Sequence, residues 1–268
     1  MESRDFPLSG SITYEIVEAG HKRIMQIAVA VRDILDRNNI PYTIHFGTLL
    51  GAVRHKGFIP WDMDMDFAVT EDVYEEANRV LKKELPEWIA VLDKDVDPNY
   101  CASWMKIVDK YSEFHATMYS GDNMFKYRGL HVDLYKMGKT SYNHSDEYRR
   151  DEAIAFYERK FKAGHISHDE LDNYRAKVSD TYQKAIEIKT MLDEDIEEYA
   201  FIGLFESATD VIFPLRQYEF EGELFTGPAD FDKFLRGCYY KGDYMQLPPY
   251  EKRDLKMDSI IINPIPKD

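Results

Sequence analysis

The chain has 268 residues, with 34 Lys and Arg against 49 Asp and Glu, and a formal net charge of −15. Hydrophobic residues make up 44% and charged residues 31%, the balance of a globular chain rather than a disordered one. The acidic excess argues against non-specific duplex binding, which needs Lys and Arg to neutralise phosphates, so no nucleic-acid partner is expected. Two cysteines, Cys101 and Cys238, supply neither a disulfide framework nor zinc spacing. No apolar run approaches the roughly 20 residues of a membrane span. Residues 1–5 lack the basic start and apolar stretch of a signal peptide. The expectation is a soluble protein in a reducing, cytoplasmic compartment.

In chain order, apolar residues including Ile16, Met25, Val29, Val31, Ile34 and Leu35 recur near a period of 3.6 and predict one amphipathic helix over residues 12–38. Asn38 and Asn39 end it, and Pro41 opens an extended run over residues 42–46, rich in β-branched and aromatic residues. After Gly47, the spacing of Leu49, Leu50, Ala52 and Val53 suits a short helix that Gly57 and Pro60 break. The next segment alternates: Asp62, Asp64 and Asp66 share one face of a predicted strand, and Met63, Met65 and Phe67 share the other. A second helix runs from Glu71 to before Pro86, and strands are predicted over 89–92, 102–108 and 130–135. Residues 145–198 are charged, nearly free of Gly and Pro, and read as two or three helices. From Phe213 the chain is rich in Pro, Gly and Tyr and reads as irregular structure around a short helix at 230–236. The fold class is therefore α+β, a mixed sheet followed by a helical block. The division expected is a core over 12–138, a helical block over 139–210 and a C-terminal segment over 211–268 packing back on the core.

Three carboxylates on one strand face repel one another unless a cation or water screens them. With Met63, Met65 and Phe67 anchoring the opposite face, the acidic face is expected to look into a cleft. Grouped carboxylates commonly serve divalent, oxygen-ligand metals, and phosphoryl transfer is the natural chemistry of such a site. Gly47 and Thr48, between a strand and a helix, could offer backbone N–H groups to a phosphate. Arg54 could pair with a phosphate oxygen. The acidic run over residues 193–198 is expected to be a solvated helix face. His165 and His168 read as surface histidines. The 19 Tyr and 3 Trp are ample for an aromatic box around a quaternary ammonium, though no spacing says which would form it; Trp61 and Trp104, close to the acidic run in sequence, are candidates.

The run from Gly47 through Arg54, His55, Lys56, Gly57, Phe58, Ile59, Pro60 and Trp61 to Asp62, continuing through Asp64 and Asp66, resembles the signature of the LicD family. Residues 242–249 resemble its closing motif. One position departs: the family's acidic triplet after the tryptophan has Met63 at its centre here, a position that alternation turns away from the carboxylates. The resemblance implies a nucleotidyltransferase-like fold, related to fukutin-type enzymes, that transfers phosphocholine from CDP-choline, with CMP leaving, to a hydroxyl of a cell-surface sugar or teichoic-acid unit. It implies Mg²⁺ or Mn²⁺ held by Asp64 and Asp66, with Asp62 as ligand or substrate contact. Asp133 would be the third carboxylate from a later strand, and Lys106 a basic residue near the donor phosphates. The partners implied are CDP-choline or a related CDP-alcohol and a glycan or lipid-linked glycan acceptor, the latter requiring contact with the inner membrane surface. Two other readings stay open: a nucleotidyltransferase placing NMP from an NTP on a small molecule or protein, and an inactive relative that binds nucleotide or glycan.

Overall fold

The computed structural model describes residues 4–8, 10–100, 102, 104–115, 125–141, 145–189, 197–201, 205–239, 242–255 and 257–266. Cys101 and residues 1–3 and 193–196, which entered the sequence reading, lie outside the described residues.

The expected first helix is α1, Tyr14–Arg37. The Thr13 hydroxyl caps it by accepting the Ile16 N–H at 3.3 Å. Asn39, in the left-handed region at φ 54, turns the chain out of it. Its inward face (Ile24, Ile27, Val31 and Leu35) is fully buried. Each such side chain contributes roughly 1.5–3 kcal/mol relative to exposure. Then follow β1 (Thr43–Ile44), α2 (Phe46–Arg54), β2 (Met65–Thr70), α3 (Glu71–Glu84), β3 (Ile89–Leu92), β4 (Met105–Asp109), β5 (Ser112–His115) and β6 (His131–Ser141).

The main sheet runs β1-β2-β6-β4-β3, with β2 parallel to β6 and the other neighbours antiparallel. The α+β expectation is met. α1 packs on α3, β4 and β6, whereas α2 packs on β2 and on α7 (Phe231–Cys238). The alternation read from the sequence divides these two sides. Met63 turns toward α1, its Cε lying 2.4 Å from where a Cβ on Gly20 would fall, while Asp66 faces the first turn of α2.

Several elements differ from expectation. β2 starts at Met65, so Asp62 and Asp64 stand on the approach to the strand rather than within it. The helical block is an antiparallel pair, α4 (Ser145–Lys162) and α5 (His168–Lys189). It is followed not by more helix but by β7 (Glu197–Phe201) and β8 (Phe205–Ala208), and β7 pairs with the far end of β6. Glu197 and Glu198 thus lie on a strand. After α6 (Thr209–Ile212), the segment expected to be irregular contains a hairpin of β9 (Arg216–Phe220) and β10 (Glu223–Gly227). The last strand, β11 (Ser259–Ile262), pairs with β5 and ties the C-terminal segment to the core. Among the described residues no helix is long and apolar enough to cross a membrane.

Candidate functional site

Register brings the acidic residues together. Asp66 on β2 and Lys106 on β4 each lie directly across from Asp133 on β6, forming a row over three strands. His131, two residues before Asp133, shares its face. The acidic approach to β2 supplies Asp64. Among the described residues, Asp64, His131 and Asp133 place one ligand atom each within 4.8 Å of one another and could hold a metal ion. Asp66 and Asp133 are buried, and Asp64 is half-buried.

The crowding has electrostatic consequences. Burial pushes the Asp64 carboxyl up to about 7, reinforced by Asp62 and Asp133 and opposed by His131 and Lys106. Burial raises Asp66 well above the usual carboxylate range, with Asp64, Asp133 and Asp62 adding to it. The Lys106 ammonium lies 2.9 Å from Asp133 Oδ1 and 2.8 Å from His131 Nε2. Burial, then Lys106, lowers the His131 pKa, against the pull of Asp133 and Asp64. His131 Nδ1 lies 3.1 Å from the Gly129 carbonyl. A carbonyl only accepts, so Nδ1 carries the proton and the Nε2 lone pair faces the cluster. Two carboxylate oxygens and an imidazole nitrogen form a mixed donor set that could hold a divalent cation.

The turn into α2 is built around this cluster. Phe46 opens the helix at φ 44, a left-handed conformation costing a non-glycine residue about 1–2 kcal/mol. Its ring is held by Tyr135 at 5.5 Å and Phe234 at 6.5 Å. Gly47 follows, and a Cβ there would fall 2.3 Å from an Asp62 carboxylate oxygen. Glycine is therefore what lets Asp62 approach the helix N-terminus, whose N–H groups favour a negative charge. Thr48 is buried and braces the strand, its hydroxyl accepting the Asp66 N–H at 2.7 Å. The Asp66 carbonyl accepts the His45 N–H at 3.0 Å, so α2 and β2 are stitched together at Asp66. On the other side of Asp62, His21 stacks on Phe58 at 4.2 Å and lies 2.8 Å from the Asp62 carbonyl.

A cleft of about 710 Å³ opens beside the cluster. Gly47, Asp62, Asp64 and His131 line its acidic wall, with Arg54 and Trp61 nearby. The C-terminal segment supplies the facing wall with Cys238, Tyr239, Tyr244, Gln246 and Lys252. Arg54 donates to the Tyr244 carbonyl at 2.7 Å and to the Gln246 carbonyl at 3.3 Å, so it joins the two walls. The Arg253 guanidinium lies over the Trp61 ring at 5.6 Å and donates to the Pro248 carbonyl at 2.9 Å. Burial raises the Cys238 thiol to about 12, with Asp66 adding to the effect. Trp104 stands apart from the cleft lining and packs on Tyr135 at 5.1 Å.

The structure thus gathers Asp62, Asp64, Asp66, Asp133, Gly47, Thr48 and Lys106 around one end of the cleft. It sets Arg54 against the C-terminal segment. His131 was not singled out as a ligand from sequence, although a His two residues before an Asp on one predicted strand carried the signal.

The profile of the family described as LicD/FKTN/FKRP, nucleotidyltransferase domain, matches residues 39–179. A lipopolysaccharide cholinephosphotransferase, LicD, of Haemophilus influenzae is 38% identical over 77 residues, covering 28% of this chain and 29% of that protein. An uncharacterised protein of Rickettsia typhi is 42% identical over 59 residues, 22% of this chain and 19% of its own length. One of Rickettsia prowazekii is 45% identical over 49 residues, 18% of each chain. The likeness to these relatives therefore spans less than a third of their length.

Proposed function

The chain belongs to the LicD family, and from that premise we propose that it is a metal-dependent transferase. It moves phosphocholine, or a related phospho-alcohol, from a CDP-activated donor to a hydroxyl of a cell-surface glycan or teichoic-acid unit. The observation that carries this reading is that Asp62, Asp64 and His131 line a cleft large enough for a nucleotide-linked donor, with Asp66 and Asp133 buried beside them.

In this reading Asp64, His131 and Asp133 would hold Mg²⁺ or Mn²⁺, with Asp66, across from Asp133, able to add a carboxylate. A bound divalent ion would supply charge neutralisation at the donor pyrophosphate oxygens. Asp62, set against the first turn of α2 by Gly47, orients the donor side of the site. Lys106 offers an ammonium to donor phosphate oxygens. Asp133 accepts the proton of the acceptor hydroxyl as its oxygen attacks the phosphorus bearing the alcohol, and CMP departs with the electrons of the broken P–O bond. Arg54 holds the C-terminal wall of the cleft over the donor, excluding water. The pair α4 and α5 stands beside Trp104, through Phe156, and shapes acceptor choice.

The test is thermal stability with Mn²⁺ across CDP-choline, CDP-ethanolamine, CDP-ribitol, CTP and ATP, followed by product analysis. A stabilising CDP-alcohol, with CMP as product, is expected. A response to CTP or ATP alone, with pyrophosphate released, would move the assignment to nucleotidyl transfer. Asp66→Asn is expected to fold and to transfer nothing; an active Asp66→Asn enzyme would defeat the assignment.

A further inference from the structure

β4 sets Lys106 across from Asp133, and its ammonium meets Asp133 Oδ1 at 2.9 Å, Asp133 Oδ2 at 3.3 Å and His131 Nε2 at 2.8 Å. Asp133 and His131 are also two of the three residues whose ligand atoms cluster within 4.8 Å. A divalent ion bound to them would sit about 2.0–2.2 Å from each donor atom. An ammonium bonded to both residues crowds that space and uses the same lone pairs. Because His131 Nδ1 is committed to the Gly129 carbonyl, Nε2 is the atom for which lysine and ion compete. The lysine side chain is 18% exposed, on a four-carbon stem that can swing toward the cleft.

We propose that Lys106 is a resident counter-cation: it neutralises Asp133 and donates to His131 Nε2 while the site is free of metal, is displaced when a divalent ion binds, and then places its ammonium on the phosphate oxygens of a nucleoside diphosphate. This rests on the metal-dependent reading of the site given above. Metal and nucleotide then bind cooperatively, because the ion releases the ammonium and the diphosphate gives it a new partner. A lysine with a purely structural role would keep its bond to Asp133 in every state.

The experiment uses the full chain. Lysines are acetylated with an N-hydroxysuccinimide ester and mapped by mass spectrometry without additions, with Mn²⁺, and with Mn²⁺ and CDP. Lys106 labelling should rise several-fold with Mn²⁺ and fall again when CDP is added, while Lys82, paired with Asp93, stays constant. By calorimetry, Lys106→Met should bind Mn²⁺ about tenfold tighter, equivalent to about 1.4 kcal/mol. It should also lose the gain in CDP affinity that Mn²⁺ gives the wild type. Labelling of Lys106 unchanged by saturating Mn²⁺, in a protein whose Mn²⁺ binding requires Asp64, overturns this inference and leaves the metal site standing. If the wild type binds no Mn²⁺, or Asp64→Asn binds it equally well, the metal reading itself falls and this inference with it.

Discussion

Asp64→Asn should make the metal-free protein more stable, by an amount that grows as pH rises from about 4 to 7. The folded-state carboxyl titrates near 7 because it is desolvated and faces Asp62 and Asp133, whereas an unfolded-chain aspartate titrates near 3.8. Between those values the folded state holds a proton that the unfolded state has released. Stability is therefore fully present below about pH 3.8 and is lost as pH rises through 7. At about 1.36 kcal/mol per pKa unit, a separation of roughly three units caps the loss near 4 kcal/mol. Asp64 is half-buried beside the cleft and shares its proton with neighbouring acids, so roughly half of that cap, about 2 kcal/mol, is the expected effect. Urea unfolding of wild type and variant in EDTA, at pH 5 and pH 8, measures it. The variant should gain about 0.8 kcal/mol at pH 5 and about 2 kcal/mol at pH 8. Saturating Mn²⁺ should reverse the order, since the ion stabilises by mass action only the protein that binds it. A variant less stable than wild type at pH 8 in EDTA would refute the reasoning. It would mean that the carboxylate is a net stabilising partner of Lys106 and His131 rather than a crowded anion.

Gly47→Ala should push the Asp62 carboxylate from the first turn of α2, because the new Cβ falls 2.3 Å from its oxygen. Since one side-chain end can give way, melts should shift by less than about 1 kcal/mol while transfer falls on the order of tenfold to a hundredfold. Arg54→Met should cost about 2 kcal/mol through the bonds to the Tyr244 and Gln246 carbonyls. Limited trypsin should then cut faster at Lys252 and Arg253, and unchanged cleavage would argue against Arg54 as the tie between the cleft walls. His45, fully buried with its pKa lowered to about 3, contributes stability that is present above pH 6.5 and is lost as pH falls toward 3. His45→Gln should therefore flatten the acid limb by about 1.4 kcal/mol per pH unit below 6.5, read as a difference between urea curves because the crowded carboxylates slope the other way.

What the sequence disclosed was periodic and local. Alternation through residues 62–67 sorted Met63 toward α1 and Asp66 toward α2, although hydrogen-bonded strand begins only at Met65. That pattern is set by which residues tolerate burial, and it extends beyond the ladder. The β9–β10 hairpin was also locally marked. Glu221 and Gly222 both take positive φ, 52 and 80, as a two-residue turn between twisted strands requires. The Pro-, Gly- and Tyr-rich composition around it predicts an irregular stretch instead. β7 was hidden for a different reason: its acidic sequence suits an exposed helix, and only pairing with the far end of β6 makes it a strand.

Arg54 shows the limit of local reading most clearly. A basic residue between a Gly-Thr turn and an acidic run suggests a phosphate contact, or simply a solvated helix end with favourable dipole placement. Its partners are carbonyls of Tyr244 and Gln246, far along the chain. Backbone carbonyls are presented by every residue, so no residue type announces them. Lys106 fits the same logic: its type was legible, but its attachment to Asp133 and His131 follows from a strand order that places β4 beside β6. In both cases the sequence identifies a cation, while topology decides which acceptors claim it. Arg54 commits only its Nη1 to those carbonyls and still lines the cleft, whereas the Lys106 ammonium bonds to both Asp133 and His131. In the proposed exchange Lys106 would give up the Asp133 and His131 atoms that a divalent ion would use, joining charge neutralisation, metal entry and donor binding in one equilibrium.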